Sequence, residues 1–158
     1  MLKAFDRPLD RTVAIKVLAP RLTSSGAARR RFAREAKAAA TVLHPNVLVI
    51  HGVSNDGSLP FLVMPYLRGE SLQRRLDRQG PLSTAEIVRI AQQVASGLAA
   101  AHGQGLVHRD IKPANILLED GVDRVTLLGT RFMKDDVSGS YVVPASRIVE
   151  VLKQLKIE

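Results

Sequence analysis

Cysteine and tryptophan are absent from the 158 residues, and aromatic side chains make up only 4%. Without cysteine the chain can build neither a disulfide nor a thiolate metal site, which suits a reducing compartment and points to the cytoplasm. Two basic clusters stand out, Arg29-Arg30-Arg31 with Arg34 and Arg74-Arg75 with Arg78, and a single aromatic residue, Phe32, falls within them. They lack the stacking platform of a single-stranded nucleic-acid groove. The formal charge of +8 at pH 7 is therefore read as solvated helix faces, and no nucleic-acid partner is expected. A salt titration against random DNA tests that rival reading. Apolar runs stop well short of the ~18 residues a membrane-spanning helix needs, so no membrane segment is expected in the chain. The residues that follow Met1, Leu2-Lys3-Ala4-Phe5-Asp6-Arg7, also lack the apolar stretch of a secretory signal.

What is present is a hydrophobic fraction of 46%, enough for the core of one domain or of two small lobes sharing an interface. Thr12 to Leu18 alternates Val13, Ile15 and Val17 with Ala14, Lys16 and Leu18, the period of a strand. Ala27 to Leu43 is rich in helix formers and stops at His44-Pro45-Asn46. Two apolar runs, Val47 to Val53 and Leu59 to Met64, flank the turn signal Asn55-Asp56-Gly57-Ser58 and read as strands. From Ser71 the pattern is helical: a short helix to Gln79, then a long one opened by the capping box Ser83-Thr84-Ala85-Glu86. That helix is expected to bury Ile87, Ile90, Ala91, Val94, Leu98 and Ala101. Arg124 to Leu128 is expected to pair with Ile116 to Leu118 across Glu119-Asp120-Gly121.

The densest chemistry lies in His108-Arg109-Asp110-Ile111-Lys112-Pro113-Ala114-Asn115, followed by Ile116-Leu117-Leu118. A buried structural loop has no use for so many ionisable side chains between apolar anchors. This run resembles the protein-kinase catalytic loop, with an Asp, a Lys two residues on and an Asn five residues on. The resemblance implies an α+β, two-lobed protein-kinase-like fold: a small antiparallel β lobe with one helix, and a partial, mainly helical lobe. It implies ATP and Mg²⁺ as cofactors and a protein substrate with a Ser or Thr acceptor. Asp110 then orients the acceptor hydroxyl and takes its proton, Lys112 neutralises charge on the phosphoryl group, and Asn115 holds Mg²⁺.

Other segments fall into place beside it. Val13-Ala14-Ile15-Lys16 is similar to the strand motif whose lysine grips the α- and β-phosphates, and Glu35 is then the natural partner of Lys16. Phe61-Leu62-Val63-Met64-Pro65-Tyr66-Leu67-Arg68-Gly69-Glu70 resembles the hinge between lobes. By that likeness Met64 is the gatekeeper, backbone groups of Pro65 and Leu67 pair with adenine, Glu70 reaches the ribose, and Ala14 and Leu117 sandwich the ring. By the same likeness Lys112 implies serine or threonine as acceptor, and the wording of the motifs is most similar to bacterial serine/threonine kinases of the eukaryotic type.

Two departures shape the functional expectation. No glycine precedes Thr12, so the family's Gly-rich phosphate loop is missing from the stretch before the Lys strand. After Arg124-Val125-Thr126, where the family carries Asp-Phe-Gly with its metal-binding carboxylate, the chain reads Leu127-Leu128-Gly129. So abrupt an edge is expected of a shifted reading frame or a rearranged gene. The organisation expected is a partial N-lobe over 1–64, a partial C-lobe with hinge and catalytic loop over 65–128, and a divergent tail over 129–158. That tail is expected to carry an amphipathic helix with Ile148, Val151, Leu152 and Leu155. The expectation is a serine/threonine kinase with reduced or no activity; the alternative is a pseudokinase-like nucleotide- or protein-binding module without catalysis.

Overall fold

Alternation along the first strands makes one face of a small sheet, and the sheet needs a helix to cover it. In the computed structural model, which describes residues 1–17, 25–54, 59–128 and 133–134, β1 (Leu2–Asp6) and β2 (Arg11–Val17) form an antiparallel hairpin. A single turn of 3₁₀ helix, Arg7–Leu9, joins them, and Asp10 closes it in the left-handed region at φ 46°. β2 pairs next with β4 (Phe61–Pro65), and β4 with β3 (Gly52–Ser54), giving the order β1-β2-β4-β3. Helix α1 (Gly26–Ala39) starts where the Ser25 hydroxyl accepts the Ala28 N–H at 3.2 Å, and it buries Ala36 and Ala39.

The stretch expected as a strand over Val47 to Val53 is extended only in part. Val47, Leu48 and Ile50 are all buried, so the segment has no solvent face to alternate with. Instead of joining the sheet it threads between the two halves of the molecule, with Val47 in a parallel bridge to Leu127 and only Gly52–Ser54 entering the ladder. Leu48 N–H donates to Leu127 O at 3.0 Å, and Leu127 N–H donates to Asn46 O at 2.9 Å.

Below that crossing, β5 (Gly69–Ser71) leads into α2 (Leu72–Gln79), and α3 (Thr84–His102) follows. The capping box is formed: Ser83 Oγ accepts the Glu86 N–H at 3.3 Å, and Glu86 Oε2 accepts the Ser83 N–H at 2.9 Å. The buried stripe of α3 is Val88, Ile90, Ala95, Gly97 and Ala101, whereas Ile87 is 52% exposed. Of the expected stripe, Ile90 and Ala101 are buried and Val94 and Leu98 pack against the core, so the helix keeps that face except at Ile87 and widens it over Ala95 and Gly97. Gly97 explains the widening: a Cβ there would lie 2.9 Å from Asn46 O and 3.2 Å from side-chain atoms of both Leu127 and Val47, so the helix backbone itself is what packs on the crossing.

β6 (Leu106–Val107) pairs with β9 (Met133–Lys134), while β7 (Ile116–Glu119) runs between β5 and β8 (Val125–Leu127). Ile116 faces Leu127 in register, as expected from the sequence. Gly69, at φ 146°, lies so close to β7 that a Cβ would fall 2.1 Å from Leu118 O; only glycine fits. Among the described residues no helix is long and apolar enough to cross a membrane. The expected tail helix with Ile148, Val151, Leu152 and Leu155 lies outside the described residues.

Candidate active site

A cavity of about 230 Å³ opens between the upper sheet and β7. Its walls include Ala14 from β2, Met64 and Pro65 from β4, Leu67 from the chain that follows, and Leu117 from β7, five residues singled out from sequence as contacts to a planar base. Leu2, Leu48 and Leu128 complete an apolar lining that the sequence reading did not assign. Their signal was weak, since an apolar residue beside a strand is ordinary core. Lys3 and Tyr66 also line the cavity, with the Lys3 ammonium 4.7 Å from the centre of the Tyr66 ring. Glu70 does not line it: its carboxylate is paired with Arg78, which holds Glu70 below its ordinary 4.5.

The charged loop between β6 and β7 sits at one end of this cavity, because Leu128 N–H donates to Asn115 O at 2.8 Å and Leu128 is a wall residue. Within the loop two side chains are drawn onto one carboxylate. Lys112 Nζ lies 3.1 Å from Asp110 Oδ1, and Asn115 Nδ2 donates to Asp110 Oδ2 at 3.0 Å and to Asp110 O at 2.8 Å. A 3₁₀ turn over Pro113–Asn115 brings Asn115 back toward Asp110. The bend before it depends on Arg109, held at φ 55°, a left-handed conformation that costs a non-glycine residue about 1–2 kcal/mol. Strain of that kind persists only where the surroundings fix the backbone.

His108 supplies part of that fixing. It is 2% exposed, and its Nδ1 accepts the Asp110 N–H at 3.3 Å, which requires a neutral ring protonated on Nε2. Burial pushes its pKa below the ordinary 6.5 and the positive charge of Lys16 pushes the same way, while Asp110 opposes them. Lys16 is therefore within electrostatic reach of the loop. Lys16 and Glu35 are both half-buried, on β2 and α1, and neither side chain is without an interaction partner.

After β8 the chemistry changes. Leu127 is fully buried and Leu128 lines the cavity, and neither hydrocarbon side chain carries an oxygen for a cation; Gly129 lies outside the described residues. Among the described residues no group of three or more His, Cys, Asp or Glu side chains could hold a metal ion.

Residues 1–131 match the protein kinase domain. The chain belongs to the protein kinase family. It is similar to the serine/threonine-protein kinase pkn3 of Myxococcus xanthus, 43% identical over 121 residues, 75% of this chain and 22% of that protein. It is similar also to PrkC of Bacillus subtilis, 40% identical over 116 residues, 73% of this chain and 18% of that protein. PknL of Mycobacterium tuberculosis is 40% identical over 121 residues, 77% of this chain and 30% of that protein. The chain thus spans less than a third of the length of these relatives. Among solved structures, the kinase domain of M. tuberculosis PknI superposes with a TM-score of 0.65 at 36% identity, covering 73% of this chain and 46% of that one. The kinase fold expected from the catalytic-loop resemblance is therefore the fold of this chain, with the cavity lying between its two lobes.

Proposed function

We propose that this kinase chain binds ATP and carries the catalytic loop for phosphoryl transfer to Ser or Thr hydroxyls of proteins, in a form whose turnover is low. The observation that carries it is the convergence of Asp110, Lys112 and Asn115 at the end of an apolar cavity walled by Ala14, Met64, Pro65, Leu67 and Leu117. The cavity suits a flat, apolar-faced base. Asp110, an acceptor-only carboxylate between two donors, is suited to orient an acceptor hydroxyl and take up its proton. Lys112, 53% exposed at its side chain, can meet negative charge on a phosphoryl group, with Lys16 as the second cation.

The protein's donors fit Mg²⁺ only sparsely. Mg²⁺ is usually held by one or two protein oxygens, with phosphates and water completing the octahedron, and here Asn115 is the residue to hold it. When bound, the ion neutralises charge on the phosphate chain. The family's second ligand, a carboxylate after β8, has no counterpart in Leu127 or Leu128, and this supports low turnover. The same observation favours a second reading, a nucleotide- or protein-binding module without catalysis.

Calorimetry with ATP, with and without Mg²⁺, separates these possibilities. Weak binding with little dependence on Mg²⁺ is expected. Strong metal-dependent affinity would show that another oxygen has taken over the missing role, and no binding at all would remove the nucleotide reading. Incorporation of labelled phosphate into a generic basic protein, measured alongside, is expected close to background.

A further inference from the structure

Helix α1 presents two faces of opposite kind. One buries Ala36 and Ala39 with Phe32 packed against the core; on the other, Arg30, Arg31, Arg34 and Lys37 are all exposed. Positions i, i+1, i+4 and i+7 fall on one side of a helix, so the four cations form a stripe spanning roughly 10 Å along the axis. None of them is ion-paired among the described residues, whereas Arg11, Arg75, Arg78, Arg89, Lys112 and Arg124 all have carboxylate partners. The helix's one acidic residue, Glu35, is half-buried and engaged elsewhere. Like charges one turn apart repel and destabilise the helix that carries them, so the stripe is not there for the helix's own stability.

We propose that this stripe is a docking surface for an acidic segment of a partner protein, with carboxylates spaced one helical turn apart. Charge complementarity argues for the partner's sign, and the composition of the face argues for its class. A helix that lies in a membrane interface needs large apolar side chains beside its cations, but Phe32 is turned into the core and Ala27 is the exposed apolar residue of the face. A duplex-binding surface neutralises more phosphates than four cations on one short helix can reach. A row of carboxylates matches the stripe in charge, length and spacing.

The test is fluorescence anisotropy of a labelled, helix-forming peptide with Glu at i, i+4 and i+7, titrated with the full chain at ~0.05 M and ~0.5 M salt. Binding is expected at low salt, weakened at least tenfold at high salt. Arg30→Glu/Arg34→Glu is expected to weaken it about tenfold or more, and to gain affinity for the matching Lys peptide. The equal charge change Arg68→Glu/Arg74→Glu should leave the Glu peptide's affinity within twofold. Should the reversal variant fail to fold, Arg31→Gln/Lys37→Gln serves instead, with a loss of about threefold expected. Glu-peptide affinity indifferent to these substitutions overturns the proposal. So does tighter binding of a short DNA duplex or of phosphatidylserine vesicles that is lost with the same substitutions, since the surface would then belong to another class of ligand.

Discussion

The loop that carries Asp110 and the stretch that leaves β8 flank the same cavity, are joined by the Leu128 N–H to Asn115 O bond, and differ in almost everything else. The loop is polar and strained at Arg109, its side chains gathered on one carboxylate. The β8 side is apolar: Val125 and Leu127 are fully buried, and Asn46 ties them down by donating to Val125 O at 2.7 Å and accepting the Leu127 N–H through its carbonyl. The backbone of the candidate site is thus fixed by hydrogen bonds on both sides, and polar side chains gather on only one. Ladder hydrogen bonds and buried leucines make a strand end rigid whether or not a carboxylate follows. Geometry and chemistry are separable here because different atoms provide them.

The largest expected effect removes the chemistry and leaves the geometry. Asp110→Asn keeps a group able to accept from Lys112 and deletes the proposed base, and any phosphate incorporation the protein shows should fall by about 10²–10⁴-fold. Melting temperature should change little. Unaltered incorporation would place the activity elsewhere in the sample.

The opposite break spares the loop and attacks the anchor of β8. Asn46 is 8% exposed, and its amide also donates to Gln93 Oε1 at 2.9 Å, while Gln93 Oε1 accepts the Val125 N–H at 2.8 Å. Asn46→Ala leaves those buried acceptors short of a donor and should cost about 2–4 kcal/mol, read as a fall in denaturant midpoint. Gly97→Ala should cost somewhat less, about 1–3 kcal/mol, because the new methyl meets the Asn46 carbonyl and must push α3 away from Leu127. Nucleotide affinity should suffer in both variants, since Leu128 moves with β8. If either variant is as stable as the parent, the crossing is not the anchor proposed.

The smallest effect is on the loop side and is set by pH. His108 has a folded pKa below 6.5, so between that depressed value and 6.5 the unfolded chain binds a proton that the folded chain does not. Stability should therefore rise with pH through this window and fall on acidification below 6.5, by at most about 1.4 kcal/mol per pH unit from this group. His108→Gln should flatten that slope in denaturant melts. An undiminished slope would assign it to other groups.

Much of this was legible because local rules and tertiary packing agree. Ser83 and Glu86 form their capping box from residues three apart, and the pairing of Ile116 with Leu127 follows from two apolar runs around a short turn. The spacing of Asp110, Lys112 and Asn115 told of a loop folded on itself before any distance was known. Where the reading slipped, the partner was distant in sequence. Val47 to Ile50 looked like a strand because buried apolar residues look alike in either setting, and only contact with β8 made them a crossing. β6 pairs with residues 133–134, which no local pattern announces. The Lys3 and Tyr66 contact is equally silent, as is the pairing of Glu70 with Arg78.

By itself, then, the sequence determined the family, the order of most elements, and which side chains carry charge at the site, since these depend on residue identity and short spacing. The tertiary structure alone decided that α3 turns Gly97 inward, that Leu48 and Leu128 wall the cavity, and that one face of α1 collects four cations without a described ion-pair partner. Those outcomes follow from close packing between segments far apart in the chain, where a rotation of one helix by a fraction of a turn exchanges what is buried for what is offered to solvent.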